Sequence, residues 1–308
     1  MLYERNGKLL VKRENKIAVI GGDQRQLFVA EYFAERGYKV AVWGLDTYGG
    51  RLEAAKSLSA VLYGAFAVIL PLPTSKDGLY LNFPLSDEKL TFEELIESVS
   101  KEQILIGGHL FDEMLALASK RGIRLYDCME SESFKVMNAI PTSEGAVGIA
   151  MNELQVTLFG STALVCGFGR IGKILSGLLL SMGCHVLAAA RKDGDLAFIR
   201  AFGYEAVRYS ELCDAAERAD VIFNTAPAKI LTRPVISHIR KDVPVIDLAS
   251  LPGGVDEIAA EECGVKVIHA LSLPGKVAPV SAGRIMAQSI DEILCSFGSC
   301  PIRSGVNL

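Results

Sequence analysis

The sequence predicts an α/β protein with two Rossmann-like domains, each a mainly parallel sheet flanked by helices, and a cleft between them. Short apolar runs alternate with helix-period segments in residues 16–126 and again in residues 163–269, a pattern typical of parallel sheets. A glycine-rich turn follows the first apolar run of the second series, as in dinucleotide-binding domains. The chain has 308 residues, enough for two domains with separate cores.

The first domain, residues 1–141, is predicted to be a Rossmann-like or flavodoxin-like substrate domain. After a charged start without a signal-peptide core, a strand at residues 16–22 enters a glycine turn, and a helix runs to Arg36. The turn has Gly21 and Gly22 but no third glycine, which argues against a second nucleotide site. Further strands are expected at residues 39–43, 66–70, 104–106 and 123–126, with helices at 92–98 and 111–120.

The second domain, residues 142–308, is predicted to begin with a linking helix at residues 142–157. Thr142 or Ser143 is expected to cap this helix, with Pro141 just before it. An amphipathic segment at residues 279–297 is expected to form a helix that packs back on the first domain. Six strands lie between these helices, the number in a doubly wound dinucleotide fold: residues 163–166, 185–190, 205–207, 220–224, 244–248 and 265–269.

The glycine turn, residues 167–172, has the spacing Gly-x-Gly-x-x-Gly between a predicted strand and a predicted helix. Its first glycine permits a tight bend, its second leaves room for a pyrophosphate, and its third lets the helix approach the strand. The start of the helix offers unpaired N–H groups to the phosphates. A purely structural βαβ turn is the alternative. The residues predicted to bind the cofactor here are Gly167, Gly169, Arg170, Ile171 and Gly172.

The type of cofactor is predicted from the end of the second strand of this domain. In NAD sites an Asp or Glu about 20 residues beyond the glycines binds the ribose 2′-hydroxyl, whereas this chain has Arg191 and Lys192 there. Two cations suit a 2′-phosphate, so NADP(H) is the predicted cofactor. Asp193 and Asp195 follow closely and leave NAD(H) as the alternative.

Further cofactor contacts are predicted where two later strands of this domain end, because ligands bind at the carboxyl ends of parallel strands. Asp247 either meets the nicotinamide or is a structural carboxylate that orients residues 253–254. The same rule assigns the strand-end loops of the first domain, together with residues 138–145, to the substrate. The predicted cofactor-lining residues are Asn224, Thr225, Ala226, Pro227, Asp247 and Leu248.

Arg25, Lys276, His109 and His269 are further candidates for the chemistry. A guanidinium such as that of Arg25 binds a carboxylate through two N–H groups, and Lys276 offers a second cation. His109 and His269 have the acid–base range of imidazole, but each is also consistent with an ordinary polar residue at a strand end.

The composition argues against several classes of partner. The formal net charge is −4 and no basic stripe is present, which argues against nucleic acid. Without a run of about 18 apolar residues no membrane span is expected, and a cytoplasmic location is predicted. The seven cysteines form no CxxC pair and the four histidines have no metal-ligand spacing. Reduced, buried thiols and no metal are therefore expected.

The motifs taken together resemble the family of dipicolinate synthase A subunits. They are IAVIGGDQRQ, NAIPTSEGAVGIAM, GFGRIGK with AAARK, NTAPAKIL, VIDLASLPGG and LPGKVAPVSAGRI. The resemblance implies oxidation of dihydrodipicolinate to pyridine-2,6-dicarboxylate with hydride transfer to NADP⁺, in the mother-cell cytoplasm of a spore former. It also implies the flavoprotein-like B subunit of dipicolinate synthase as partner, and a homo-oligomer is expected.

The resemblance also suggests which residues bind this substrate. A planar dicarboxylate needs cations or clusters of N–H groups around its two carboxylates. The candidates are Arg25, the turn at Gly22 and Asp23, Thr142, Ser143 and Lys276. Glu144 or His109 is the candidate proton acceptor, whereas His269 falls outside the family pattern.

Two other functions remain as alternatives. The first is a D-2-hydroxyacid or alanine dehydrogenase relative, although the context of His269, HALSLPG, does not match the hydroxyacid enzymes. The second is a scaffold that senses NADP(H) without turnover.

Overall fold

The computed structural model describes residues 3–5, 8–10, 15–46, 52–250 and 253–297. These fall into two compact units. Unit 1 comprises Met1–Phe134 and Pro279–Leu308, and unit 2 comprises Lys135–Ala278. No helix in the described ranges is long and apolar enough to cross a membrane.

The strands of the described chain are numbered in chain order. They are β1 Tyr3–Arg5, β2 Lys8–Leu10, β3 Lys16–Ile20, β4 Lys39–Trp43, β5 Glu53–Ala54, β6 Ala65–Ile69, β7 Ile104–Gly107, β8 Arg124–Asp127, β9 Thr162–Cys166, β10 His185–Ala190, β11 Glu205–Arg208, β12 Val221–Asn224, β13 Val245–Asp247 and β14 Val267–His269.

The helices are numbered in the same way. They are α1 Gln24–Glu35, α2 Leu58–Leu62, α3 Phe92–Ser98, α4 Asp112–Arg121, α5 Glu132–Glu153, α6 Arg170–Ser181, α7 Asp193–Ala201, α8 Leu212–Arg218, α9 Arg233–Ile236, α10 Glu257–Cys263, α11 Leu273–Val277 and α12 Pro279–Ser296. Short 3₁₀ helices occur at Cys128–Glu130 and Tyr209–Glu211.

Unit 1 is built on a parallel six-stranded sheet with the strand order β5-β4-β3-β6-β7-β8. Side chains alternate between the two faces of a strand. Ile17 and Val19 of β3 therefore pack with α1 and α12, whereas Ala18 and Ile20 pack with α2, α3 and α4. The antiparallel pair β1–β2 is the described part of the charged N-terminal segment.

The Gly21–Gly22 turn of unit 1 is filled by a neighbouring loop. The Gly22 N–H donates to the Asn82 carbonyl at 2.9 Å, and the Phe83 ring lies against Gly21 and Gly44, where an added Cβ would overlap it. Phe83 also meets Trp43 edge-on, with 5.4 Å between ring centroids. The backbone that would face a phosphate in a dinucleotide domain therefore packs against the unit's own chain.

Unit 2 contains the second parallel sheet, with the strand order β11-β10-β9-β12-β13-β14. Winding starts at the centre in β9, runs outwards to β11, and then returns to β12 on the other side. Ala163 and Val165 pack with α5 and α6, whereas Leu164 and Cys166 pack with α8, α9 and α10. The predicted fold class of two Rossmann-like parallel-sheet domains is confirmed.

The cap predicted at Thr142 or Ser143 is wrong. Helix α5 already begins at Glu132 and contains Pro141 in its interior. The Thr142 and Ser143 hydroxyls donate to the carbonyls of Asn138 and Ala139, each at 2.8 Å. These are the i−4 bonds that Ser and Thr form within a helix. Pro141 removes one helical donor, but the flanking turns keep the helix continuous.

Helix α12 crosses α1 at Gly283, where the two helices approach closely. A Cβ at Gly283 would lie 2.7 Å from the Arg25 carbonyl oxygen and 2.8 Å from the Phe28 Cβ. We expect Gly283→Ala to lower the free energy of unfolding by about 1–3 kcal/mol through overpacking. Gly148→Ala in α5 is the matched control, because an added Cβ there meets nothing within 4 Å.

We expect the Gly148 control to raise stability by about 0.4–1 kcal/mol through reduced chain entropy in the unfolded state. Urea unfolding followed by circular dichroism measures both variants. Equal stability changes for the two substitutions would contradict the close crossing of α1 and α12.

Candidate cofactor site and active-site residues

The glycine turn of unit 2 connects β9 to α6 and has little spare room at two of its three glycines. Gly167 has a φ of +104°, and an added Cβ would lie 2.6 Å from the Thr225 Oγ1. A Cβ at Gly172 would overlap the carbonyl oxygen of Gly167. Gly169, the N-cap residue of α6, meets nothing within 4 Å. The turn is therefore close-packed at Gly167 and Gly172 and open at Gly169, where α6 begins.

Thr225 joins the glycine turn to the loop after β12. Its N–H donates to the Cys166 carbonyl at 2.8 Å, and its hydroxyl lies 3.0 Å from the same oxygen and 3.3 Å from the Gly167 carbonyl oxygen. β9 and β12 are the adjacent strands at which the winding direction changes. The carboxyl end of such a switch point is where doubly wound folds bind ligands.

Asn224 and Asp247 form a buried pair at the ends of β12 and β13. The Asn224 amide donates to the Asp247 Oδ1 at 2.8 Å and to the Ala226 carbonyl at 3.2 Å. Asp247 also accepts from the Ala249 N–H at 3.1 Å and from the Gly254 N–H at 3.3 Å. Both side chains are at most 1% exposed. The buried pair therefore holds the loops after β12 and β13 in place.

The cationic pair Arg191-Lys192 follows β10 directly. Both residues are exposed, and Lys192 is the N-cap residue of α7. Asp193 forms an ion pair with Arg208, with 2.5 Å between the Arg208 Nη2 and a carboxylate oxygen. Burial raises the pKa of Tyr209, and the nearby Arg191 charge opposes that rise. A cation, Arg191, thus follows β10, and the first acidic residue beyond it, Asp193, forms an ion pair.

In unit 1, Arg25 belongs to the packed structure near its strand ends. Its guanidinium Nε and Nη2 donate to the two carboxylate oxygens of Asp23 at 2.9 and 2.8 Å, and Nη2 also donates to the Leu72 carbonyl. Asp23 in turn caps α1 by accepting from the Arg25 N–H at 3.0 Å. The Nε and Nη2 donors of this guanidinium are therefore used inside the unit.

Comparison with known families and proteins covers both units. Residues 16–129 match the model of the N-terminal domain of dipicolinate synthase A subunits, and residues 141–242 match that of the D-isomer specific 2-hydroxyacid dehydrogenase NAD binding domain. The dipicolinate synthase A subunit of Bacillus subtilis (strain 168) is 30% identical over 285 residues, which are 91% of this chain and 95% of that protein. The chain belongs to the family of dipicolinate synthase A subunits.

Solved structures agree with this family assignment. The crystal structure of the dipicolinate synthase A subunit from Bacillus halodurans has 30% identity and a TM-score of 0.84, over 91% of this chain and 97% of that one. An L-alanine dehydrogenase structure, at 15% identity and a TM-score of 0.65 over 92% and 90% of the chains, shares the fold. The predicted NAD(P)-dependent oxidoreductase class is confirmed, and the cofactor is a nicotinamide dinucleotide.

The structure brings the predicted cofactor residues of this family member into one unit, at the carboxyl edge of one sheet. Asn224, Thr225 and Asp247 also form hydrogen bonds within the unit. Asp247 makes the contact to Gly254 that the sequence offered as one of two alternatives. Direct cofactor contacts of all these residues stay predictions.

The other predicted residues lie on different elements. Glu144 is exposed on α5, Thr142 and Ser143 are buried, and the Lys276 ammonium donates to the Leu271 carbonyl at 2.9 Å. His109 is exposed in unit 1 with a φ of +56°, and its ring lies edge-on to Phe111. Helices α5 and α11 pack closely at Gly145. A Cβ added there would lie 3.2 Å from atoms of Leu273 and Val277. Roles for these residues in catalysis or substrate binding stay predictions.

The fold also assembles a cluster that sequence spacing did not indicate. Ligand-type atoms of Asp247, Glu257 and His269 all lie within 4.8 Å of one another, and His269 Nε2 is 3.3 Å from the Glu257 carboxylate. β13 pairs with β14 so that Asp247 and His269 are direct neighbours. Glu257 was not among the predicted residues, because only the position of α10 brings it to this edge.

The open position at Gly169 generates a prediction that separates cofactor binding from folding. We expect Gly169→Ala to leave the unfolding free energy within about 1 kcal/mol of wild type, because its Cβ meets no atom of the chain. The methyl group would stand where a pyrophosphate approaches, so nicotinamide dinucleotide affinity should fall at least about tenfold.

Gly172→Ala is the contrasting variant. Its Cβ overlaps main chain, so we expect loss of stability of about 2–4 kcal/mol whether or not cofactor is present. Thermal unfolding and cofactor titration of both variants provide the measurements. Undiminished cofactor affinity in Gly169→Ala would contradict the predicted pyrophosphate site.

Proposed function

We propose that the chain oxidises dihydrodipicolinate to pyridine-2,6-dicarboxylate with NADP⁺ as hydride acceptor, as the A subunit of a dipicolinate synthase. The observation that carries the proposal is the match over both units to the family of A subunits, at 30% identity and 95% coverage of a curated member. A doubly wound unit with a complete glycine turn supports a dinucleotide-dependent reaction.

The residues of unit 2 fit such a cofactor. Gly169 leaves open space in front of the α6 N-terminus, where unpaired N–H groups and the helix dipole attract phosphate. When bound, the nicotinamide ring takes up the hydride. The residues proposed to hold the cofactor are Gly167, Gly169, Arg170, Ile171, Gly172, Arg191, Lys192, Asn224, Thr225, Ala226, Pro227, Asp247 and Leu248.

The preference for NADP⁺ rests on the end of β10. Arg191 stands where an NAD-specific domain has its acidic residue, and Lys192 follows it on the exposed side. A guanidinium matches the geometry of a phosphate and binds it through two N–H groups. Asp193 forms only an exposed ion pair with Arg208, so the preference for NADP(H) over NAD(H) rests on the two cations.

The reaction removes a hydride and a proton from the substrate ring, which becomes aromatic. Glu144 and His109 are proposed proton acceptors, and both are exposed. The proposed carboxylate ligands are Arg25, Gly22, Thr142, Ser143 and Lys276, with Asp23 beside Arg25. Because the Asp23 carboxylate already pairs with Arg25, we propose that Asp23 orients the guanidinium rather than touching a dicarboxylate of its own charge.

A second polypeptide and a cellular role complete the proposal. The relatives are each named as one subunit of their enzyme, which implies a partner chain, and we propose that this partner is the flavoprotein-like B subunit of dipicolinate synthase. We further propose that the chain forms a homo-oligomer and acts in the mother-cell cytoplasm during sporulation, where its product is made for the spore.

The activity is tested by mixing the chain with NADP⁺ and enzymatically generated dihydrodipicolinate, with and without the flavoprotein-like partner. We expect ultraviolet absorbance of pyridine-2,6-dicarboxylate to rise together with NADPH absorbance, in equal amounts, because one hydride leaves per ring. Gly169→Ala is the matched control and should reduce both signals. Absence of product under both conditions would refute the synthase function.

Cofactor choice is tested by Arg191→Ala. We expect NADP⁺ affinity to fall about 10- to 100-fold, because a charge-assisted contact to phosphate is lost, while NAD⁺ affinity changes less than about twofold. Arg200→Ala, in the last turn of α7, is the control for loss of a positive charge from the same unit. Isothermal titration with both cofactors gives the comparison, and equal losses for NADP⁺ and NAD⁺ would exclude Arg191 as the 2′-phosphate ligand.

A further inference from the structure

The Asp247 carboxylate is buried at the carboxyl end of β13. It is 1% exposed, and it accepts hydrogen bonds from the Asn224 amide, the Ala249 N–H and the Gly254 N–H. Each of these partners is an uncharged donor. In all three contacts Asp247 is the acceptor, the role that a carboxylate oxygen takes. These contacts orient its negative charge without neutralising it.

One side chain beside Asp247, the Glu257 carboxylate, adds to the negative potential. Glu257 and His269 lie with it inside a 4.8 Å cluster, at the same carboxyl edge of the sheet. Both are about half exposed, with side-chain exposures of 53% and 52%, so water screens them far more than it screens Asp247. Of the two carboxylates, the buried one of Asp247 therefore acts more strongly.

The role of this charge follows from the position of β13 in the sheet and rests on the proposed function. A doubly wound dinucleotide fold has two mononucleotide halves, one on each side of the central strand. The glycine turn and Arg191 belong to the half formed by β9, β10 and β11. Asp247 lies on the middle strand of the other half, β12-β13-β14, which takes the nicotinamide nucleotide.

The two oxidation states of the cofactor differ in charge at that end. The oxidised nicotinamide ring carries a positive charge, whereas the reduced ring is neutral. A fixed negative charge therefore favours the oxidised ring, and a buried charge does so more strongly because little water intervenes. We propose that Asp247 sets the relative affinity of the protein for oxidised and reduced cofactor, favouring the oxidised form.

This role differs from a contact that merely holds the cofactor. A structural carboxylate would affect both oxidation states equally when removed, since both share the same pyrophosphate and adenosine. A charge that acts on the ring affects them unequally. The consequence for an oxidation reaction is directional: NADP⁺ is bound in preference, and the NADPH that forms is released.

The experiment measures dissociation constants of NADP⁺ and NADPH by isothermal titration for wild type and Asp247→Asn. We expect the substitution to weaken NADP⁺ about tenfold more than NADPH, because it removes the charge and leaves the shape nearly unchanged. An equal loss for both forms would overturn the proposal while leaving the proposed function intact. Failure of wild type to bind either form would instead refute the proposed function.

Two more variants keep the test decisive if Asp247→Asn does not fold. Glu257→Gln removes the outer charge from an exposed side chain, and we expect it to shift the affinity ratio in the same direction by about twofold. Asp220→Asn is the control, because Asp220 accepts from the Thr162 N–H at 2.8 Å and pairs with Arg240 just before β12, at the opposite edge of the sheet. An unchanged ratio in Glu257→Gln, or an equal shift in Asp220→Asn, would overturn the proposal.

Discussion

The close approach of α6 to the end of β9 is the contact on which the edge of unit 2 depends. Gly172 lies against the Gly167 carbonyl with no room for a side chain, which places the first turn of α6 directly over the strand. Thr225 then bonds to both Cys166 and Gly167. From there the Asn224–Asp247 pair continues the same buried polar layer to Gly254. These hydrogen bonds therefore support the loops after β9, β12 and β13, three of those proposed to meet the cofactor.

Unit 1 has the same winding but uses its strand-end turn differently. Its strand order corresponds to that of unit 2, with β3 in the place of β9. The turn after β3 carries two glycines with positive φ, and the loop with Asn82 and Phe83 occupies the space in front of it. The same topology thus yields an open helix N-terminus in one unit and a packed one in the other. The difference lies in one loop rather than in the sheet.

Most of the fold could be predicted from the sequence, because strands and helices alternate with clear periods and glycines mark the turns. The start of α5 could not. Pro-Thr-Ser-Glu has the composition of a helix start, yet nine residues before Pro141 are already helical. Local signals of this kind are weaker than the tertiary packing that extends a helix.

In the candidate site, too, contacts between residues far apart in sequence could not be predicted. The glycine turn is contiguous in sequence and was identified from it, whereas Asn224 and Asp247 are 23 residues apart and meet only because β12 and β13 are neighbours. Their mutual bonding therefore has no sequence signature. The Asp23–Arg25 pair could have been anticipated, since an N-cap Asp two residues before an Arg places both at the start of one helix.

The Trp43–Phe83 contact has an optical consequence. The chain has a single tryptophan, and its indole is 8% exposed beside the ring that covers the Gly21–Gly22 turn. Intrinsic indole emission therefore reports the environment of unit 1 and of that loop. A reduced nicotinamide fluoresces at longer wavelength and would report on unit 2. With reduced cofactor bound in unit 2 as proposed, each unit would have its own spectrally separate signal.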